Sequence, residues 1–344
     1  MPLPRTPSLQ RRLLTTLQRA VLRIGGRRLR RLLSGSGRGG ATILVYHSLA
    51  GADGAWIDPS NAEEPQVFAR QMRFLAEHRR VVALADLASA VAAGRTPRAG
   101  SVAITFDDGY LDNYTVAAPI LARLGLPATF FLATGYVDEG LPQWIDELWS
   151  IYRHRTCHAL GVASAPFDLR AQRDVDASHR LVSSMLLGAD MPARRRLLDD
   201  VRSQLRPAQS PPRLTLDWAE VRAMLAMSPG FHVGVHTRDH LALPRCSSER
   251  IDAELTRCID DVRRNAGVDP VLFAFPYGQS NGAARREVAA RFRAAVVTTP
   301  PALVHAGTDR YAMPRLPASR DTAVFRFCTS GADPYLVRRL LRGA

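Results

Sequence analysis

Residues 102–110 read VAITFDDGY, and they decide the fold. Val102–Phe106 is an apolar run of strand length, and Asp107, Asp108 and Gly109 follow it directly. An apolar run without alternation predicts a strand buried on both faces, as in parallel sheets. Glycine permits a sharp turn, and neighbouring side chains diverge, so one carboxylate can bind a metal ion while the other accepts a proton. Taken alone, such a turn is also common in ordinary loops.

Short apolar runs alternate with helical patterns along most of the chain. Strands are predicted at 43–46, 81–84, 102–106, 128–133, 231–235, 271–275, 294–298 and 312–316, and helices at 65–78, 86–94, 113–124, 218–226, 248–265 and 285–292. This repetition predicts an α/β fold with a parallel sheet covered on both faces. About seven such units favour a closed or nearly closed (β/α) barrel with its chemistry at the strand ends. Residues 141–215 break the rhythm and are interpreted as a helical insertion.

The positive charge is concentrated at the start of the chain. All 46 basic residues are arginines, ten of them lie in residues 1–40, and that segment has no acidic residue. The rest of the 344-residue chain has 36 arginines against 32 acidic residues, a near balance that argues against nucleic-acid binding. The predicted organisation is a basic arm and linker at 1–40, a barrel at 41–330 and a C-terminal helix or tail at 331–344.

Apolar residues recur at about helical spacing among the arginines of the arm. This pattern is typical of a helix lying on an anionic membrane surface, but a poorly ordered basic tail fits it equally well. Arginines interrupt every apolar run, unlike in a secretory signal. The four scattered cysteines form no CxxC pair, as expected of thiols in a reducing compartment. We therefore expect a cytoplasmic protein, with residues 1–34 as the candidate contact with the inner membrane face.

Two further polar segments follow predicted strands. HTRDH at 236–240 would bring two imidazoles to one point if it formed a helical turn. Two neutral imidazoles and one carboxylate suit Zn²⁺, or Co, Mn or Ni, although two histidines on a helix surface would give the same pattern. FPYG at 275–278 predicts a turn that can direct a backbone N–H into a site, or an ordinary turn.

With TFDDG at 105–109, HTRDH at 236–240 and FPYG at 275–278 in this order, the chain resembles the polysaccharide deacetylase (NodB-homology) family. The resemblance spans about residues 41–330 and implies a distorted (β/α) barrel. The segments VYHSL, LTLDWAEV and MPRLP are similar to a bacterial branch found with surface-polysaccharide synthesis.

The resemblance also implies a role for each motif residue. Asp107 would be the general base, and the N–H of Tyr277 would stabilise the oxyanion. One divalent metal ion, with Zn²⁺ as the first choice and Co, Mn or Ni as alternatives, would be bound by Asp108, His236 and His240.

The chain departs from the family pattern in two places. The family usually has an arginine two residues before the proline of its third motif, where it orients the base, but this chain has Ala274. Arg315 in MPRLP is the candidate replacement. The late Leu-x-His motif that usually supplies the general acid is absent, and the candidates are His47 and His305. His47 is preferred, because a permuted branch of the family places its acid histidine early in the chain.

Three functions remain open from the sequence. The first is a metal-dependent N-deacetylase acting on amino sugars of a bacterial polysaccharide or its precursor. The second is a hydrolase of another non-peptide linear or cyclic amide. The third is a non-catalytic glycan-binding or assembly protein with a relic site, which the missing third-motif arginine would favour. Trp144, Trp149 and Trp218 are candidate platforms for stacking on a sugar, or packing residues.

Overall fold

The computed structural model describes residues 40–50, 56–298 and 302–331. The predicted N-terminal arm up to residue 39 and the predicted C-terminal segment from residue 332 onward lie outside these residues. No helix within the described ranges is long and apolar enough to cross a membrane.

The described strands form a nearly closed parallel barrel and one separate hairpin. In chain order they are β1 (Thr42–Tyr46), β2 (Arg80–Val81), β3 (Ser101–Phe106), β4 (Ala128–Leu132), β5 (Ala159–Val162), β6 (Ala165–Asp168), β7 (Phe231–Val235), β8 (Leu272–Ala274), β9 (Ala294–Val297), β10 (Met313–Pro314) and β11 (Leu316–Pro317). The barrel order is β10-β9-β8-β7-β4-β3-β1-β11, and β2 pairs with the start of β3. Because only Arg315 separates β10 from β11, one extended segment joins the two ends of the sheet.

Helices connect most of the successive strands, and one helix follows the last strand. They are α1 (Pro65–His78), α2 (Leu84–Ala92), α3 (Ala118–Arg123), α4 (Thr134–Glu139), α5 (Trp144–Arg153), α6 (Gln172–Gly188), α7 (Met191–Leu205), α8 (Trp218–Ala226), α9 (Ser248–Ala266), α10 (Gly282–Ala289) and α11 (Thr322–Cys328). The predicted α/β barrel is confirmed. The strand predicted at 81–84 is wrong beyond Val81, because β2 ends there and Leu84 already begins α2.

Both faces of the barrel strands are buried, as the unbroken apolar runs predict. Tyr46, Phe106 and Phe130 on neighbouring strands pack toward the surrounding helices, with ring centroids 5.4 and 5.0 Å apart. Their neighbours Ala103 and Phe131 belong to a second cluster, which α2 helps to form. Burial of each large apolar side chain contributes about 1.5–3 kcal/mol, so this two-sided core dominates the stability of the barrel.

The segment interpreted as a helical insertion contains α5, α6 and α7 and has an apolar cluster of its own. It also contains the antiparallel hairpin β5–β6, which the sequence analysis did not predict. The two-residue turn Ala163–Ser164 has φ values of 49° and 64°. Such turns are usually recognised by Asn-Gly or Asp-Gly, and this one carries neither.

Candidate active site

The candidate site lies where the barrel strands end. His47 follows β1, Asp107 and Asp108 follow β3, and His236 follows β7. The carboxyl ends of parallel strands share one edge of the barrel, so residues far apart in sequence meet there. They line an open cavity with a volume of about 590 Å³.

Asp107 and Arg315 form a buried, bidentate ion pair. Nη1 and Nη2 of Arg315 donate to the two carboxylate oxygens of Asp107, both at 2.6 Å, and Nη1 also donates to Thr105 Oγ1 at 3.2 Å. Arg315 reaches Asp107 because it lies between β10 and β11, in the segment that joins the two ends of the sheet, where its N–H donates to the carbonyl of Val297 at 2.8 Å. Burial raises the pKa of Asp107, but the guanidinium of Arg315 and the imidazole of His236 outweigh it and lower the pKa below its usual value.

Asp108, His236 and His240 form a buried cluster whose ligand atoms all lie within 4.8 Å of one another. Asp108 Oδ1 is 3.6 Å from His236 Nε2 and 3.2 Å from His240 Nε2. Oxygen and nitrogen ligands about 2.1 Å from a tetrahedral ion would be roughly 3.4 Å apart, which matches this spacing. Asp108 Oδ1 is buried with no hydrogen-bond partner among the described residues. Such an atom costs free energy unless a cation or donor satisfies it, so the donor set fits a divalent ion.

The electrostatics of the cluster keep His236 neutral and Asp108 ionised, the forms that bind a metal ion. Burial lowers the pKa of His236 to about 4, and the nearby Asp107 carboxylate offsets only part of this effect. His236 Nδ1 lies 2.8 Å from the carbonyl oxygen of Ala274, to which an Nδ1–H donates, so the Nε2 lone pair faces the site. Burial raises the pKa of Asp108, but the imidazoles, above all that of His240, bring it well below its usual value.

The segment 236–240 does not form the helical turn considered above. Thr237 and His240 have φ values of 62° and 50°, in the left-handed region that residues with a Cβ rarely adopt. These two residues reverse the chain locally, and both imidazoles reach the cluster in this way. Asp108 has a φ of 74° and Gly109 of 79°, so the first motif also turns through left-handed backbone.

Tyr277 directs its backbone N–H and its hydroxyl to different places. Its φ is 58°, and its N–H meets no hydrogen-bond acceptor among the residues that the structure describes. Its hydroxyl accepts from Trp144 Nε1 at 2.9 Å and donates to the carbonyl of His240 at 3.2 Å. Burial raises the pKa of Tyr277 to about 12, so the phenol stays neutral.

The structure separates the two candidate acid histidines. His47 lines the cavity with Asp107 and Asp108, and its imidazole is close enough to lower the pKa of both carboxylates. Asn113 Nδ2 donates to the His47 carbonyl at 2.8 Å and so fixes its backbone. His305 is exposed, and its Nδ1 accepts from the N–H of Gly307 at 3.2 Å. It is absent from the residues lining the cavity.

The insertion supports the motif loops through buried polar side chains. Gln143 Nε2 donates to the carbonyl of Asp108 at 3.2 Å, and Arg194 of α7 donates to the carbonyls of Asp239 and His240. The sequence analysis missed both supporting residues. A signal existed for Arg194, because it falls on the helical stripe that otherwise buries Met191, Leu198, Val201 and Leu205.

The three tryptophans do not line the described part of the cavity. Trp144 is buried in the core of the insertion. Trp218 donates through Nε1 to Asp138 Oδ1 at 2.6 Å. Trp149 lies partly buried on α5. Among the described residues, the sugar-stacking role considered above therefore has no support at these positions.

Comparisons with known proteins bear on the family and the fold of the chain. A family model described as polysaccharide deacetylase matches residues 94–294. YxkH of Bacillus subtilis (strain 168), a curated protein whose name includes polysaccharide deacetylase, is 30% identical over 91 residues, and the match spans 26% of this chain and only 30% of that relative.

Solved structures with a similar fold have low sequence identity to this chain. The Streptococcus pyogenes deacetylase PplD, solved in complex with acetate, is 16% identical with a TM-score of 0.56, over 84% of this chain and 97% of that one. IcaB from Ammonifex degensii is 16% identical with a TM-score of 0.56, over 86% and 97%. At this identity the likeness shows the fold.

Proposed function

Because the chain belongs to the polysaccharide deacetylase family, we propose that it is a metal-dependent hydrolase that removes N-acetyl groups from amino sugars of a bacterial polysaccharide or its precursor. One observation carries the proposal. The buried Asp107–Arg315 pair and the candidate ligands Asp108, His236 and His240 line the same open cavity.

Asp108, His236 and His240 would hold one divalent ion, with Zn²⁺ as the first choice and Co, Mn or Ni as alternatives. When bound, such an ion supplies Lewis-acid activation of the amide carbonyl and of the attacking water. Both imidazoles present Nε2 toward Asp108. The protein thus supplies three ligands and leaves the side of the cavity open to water and substrate.

Asp107 is the proposed general base. Its carboxylate accepts a proton from the attacking water, and the ion pair with Arg315 keeps it ionised and fixes its plane. Asp107 Oδ2 lies 3.9 Å from His236 Nε2, so the base borders the ligand cluster. The N–H of Tyr277 would donate to the oxyanion, and the imidazole of His47 would give a proton to the leaving amine.

The departure at Ala274 no longer favours a relic site. Arg315 makes the contact with the base that the resemblance assigns to the missing arginine, although it comes from another strand. Both oxygens of Asp107 are engaged, and the three candidate ligands are intact.

Acetate release from an acetylated hexosamine oligomer tests the proposal. We expect turnover by the zinc-loaded chain, and a loss of at least about 100-fold in Asp107→Asn with zinc still bound. Asp200→Asn, at an exposed position on α7, is the matched control and should retain turnover. Turnover of a small amide without acetate release would favour the second function, and zinc binding without any turnover would favour the third.

We also propose, from the sequence alone, that residues 1–34 contact the anionic inner face of a membrane. Flotation of the full-length chain with anionic liposomes, but not of a chain beginning at Gly40, would support this contact. Equal flotation of both chains would contradict it.

A further inference from the structure

Arg194 is a buried cation whose described acceptors are all uncharged. Its Nε donates to the carbonyl of Leu186 at 2.9 Å, and its Nη1 to the carbonyl of Asp239 at 2.5 Å and the hydroxyl of Tyr136 at 3.4 Å. Its Nη2 donates to the carbonyl of His240 at 3.2 Å. Among the described residues it has no carboxylate partner, and its exposed fraction is 0%. A buried charge without a counter-charge costs free energy, so the hydrogen bonds of this guanidinium must offset that cost.

These contacts fall on the backbone of a candidate metal ligand. His240 has a φ of 50°, a conformation that persists only where its surroundings impose it. On one side of the loop, the carboxylate of Glu254 accepts from the N–H groups of Arg238 and Asp239 at 3.0 and 2.9 Å. On the other side, Arg194 binds the carbonyls of Asp239 and His240. The segment 238–240 is thus held through two of its N–H groups by α9 and through two of its carbonyls by α7.

The insertion also supports His240 through a second set of hydrogen bonds. Trp144 Nε1 donates to the hydroxyl of Tyr277, which in turn donates to the same His240 carbonyl. The Tyr277 and His240 rings are 4.6 Å apart, and the Arg194 guanidinium lies 5.7 Å from the Trp144 ring. The His240 carbonyl therefore receives two donors, one of which belongs to the insertion and the other of which the insertion orients.

From this geometry we propose that Arg194 is a positioning residue for His240, and that the insertion is therefore a structural part of the metal centre. The proposal rests on the proposed function only in assuming that Asp108, His236 and His240 bind a divalent ion. Removing the guanidinium frees the two carbonyls, lets His240 leave its left-handed conformation and misplaces its Nε2. Partners that orient a ligand in this way typically change metal affinity by about 10–100-fold.

The test is the Zn²⁺ affinity of the full-length chain, measured by competition with a chromophoric chelator. We expect Arg194→Met to weaken Zn²⁺ binding by about 10–100-fold. We expect the Zn²⁺ affinity of Arg194→Lys to lie between that of the parent chain and that of Arg194→Met, because an ammonium group cannot bind three carbonyls in a fixed plane. Arg196→Met is the matched control, since Arg196 is an exposed arginine on the same helix. Its affinity should equal that of the parent chain.

The Co²⁺ absorption spectrum separates positioning from a general loss of stability. If Arg194 positions His240, the ligand-field bands of Co²⁺-loaded Arg194→Met should shift, while those of Arg196→Met should not. Parent affinity together with a parent spectrum in a folded Arg194→Met variant would overturn the proposal. If that variant does not fold, parent affinity in Arg194→Lys would overturn it. A parent chain that binds zinc but releases no acetate would instead overturn the proposed function and leave this test intact.

Discussion

Replacing Arg315 by methionine would leave the Asp107 carboxylate buried without its counter-charge. The side chains of Asp107 and Arg315 are only 3% and 1% exposed, so solvation replaces little of the lost interaction with the guanidinium. Removing one partner of such a pair typically costs about 3–5 kcal/mol of unfolding free energy. For a chain of this size the melting temperature should fall by on the order of 10 °C. The exposed pair of Arg263 and Asp269 is the control, and Arg263→Met should cost less than about 1 kcal/mol.

A double-mutant cycle measures the pair itself. Urea unfolding at pH 7 in excess chelator would be followed for Asp107→Asn, Arg315→Met and the double variant, so that metal binding does not contribute. We expect the double variant to be more stable than the sum of the single effects predicts, by about 1–3 kcal/mol. Additive effects within about 0.5 kcal/mol, or an Arg315→Met cost no larger than that of Arg263→Met, would refute the reasoning.

The same variant makes a prediction about pH with a definite sign. In the parent chain the pKa of Asp107 is lowered, so its contribution to stability is present above the unfolded pKa of about 3.9 and is lost on acidification. In Arg315→Met, burial is no longer outweighed and the pKa of Asp107 rises. The folded variant then binds a proton more readily than the unfolded chain. Acidification from pH 7 to pH 5 should therefore stabilise Arg315→Met relative to the parent, and the opposite trend would contradict the pairing.

Three other predictions concern the metal centre, the insertion and the general acid. Zn²⁺ at 100 times its dissociation constant should raise the unfolding free energy by about 2.7 kcal/mol, and a melting curve that neither zinc nor chelator moves would argue against a metal centre. Burial raises the pKa of Asp146, which lies on α5 of the insertion, to about 7, so its contribution to stability falls as pH rises from about 4 to about 7. Between pH 5 and pH 8, the unfolding free energy of Asp146→Asn, measured with urea, should therefore rise by on the order of 1–3 kcal/mol relative to that of the parent. A relative fall would contradict the raised pKa of Asp146. His47→Gln should lower kcat for acetate release by about 10²–10⁴-fold, whereas His305→Gln should leave it within about twofold, and the reverse order would identify His305 as the acid.

The sequence predicted the barrel because its strands are buried on both faces and appear as unbroken apolar runs. It predicted where the motif residues meet for a related reason, since each follows such a run and parallel strands end at one edge. Residues 105–109 illustrate both points, with Thr105 and Phe106 inside β3 and Asp107 immediately after it. The partner of Asp107 could be named only as a candidate, because Arg315 is 208 positions away and lies between two very short strands, β10 and β11.

What the sequence could not predict depends on tertiary contacts. The left-handed backbone of Thr237 has no local signal, and that of His240 has only a weak one, the modest enrichment of histidine at positive φ. It depends on Glu254 and Arg194, which come from two distant helices. An arginine on the apolar stripe of a helix is a visible anomaly, but the sequence does not show which carbonyls it meets.

Two fully buried arginines flank this site, and their partners determine what each can do. Arg315 meets a carboxylate, so it can set the charge of Asp107, and its removal should appear in the pH dependence of stability. Arg194 meets carbonyls and a phenol, so among its described contacts it has no titrating carboxylate whose pKa it could lower. Its described contacts fix geometry, and its removal should appear in metal affinity with little change in that pH dependence. If both variants altered the same property to the same extent, this division of roles would be wrong, and the two arginines would be better explained as equivalent supports of one loosely packed cavity.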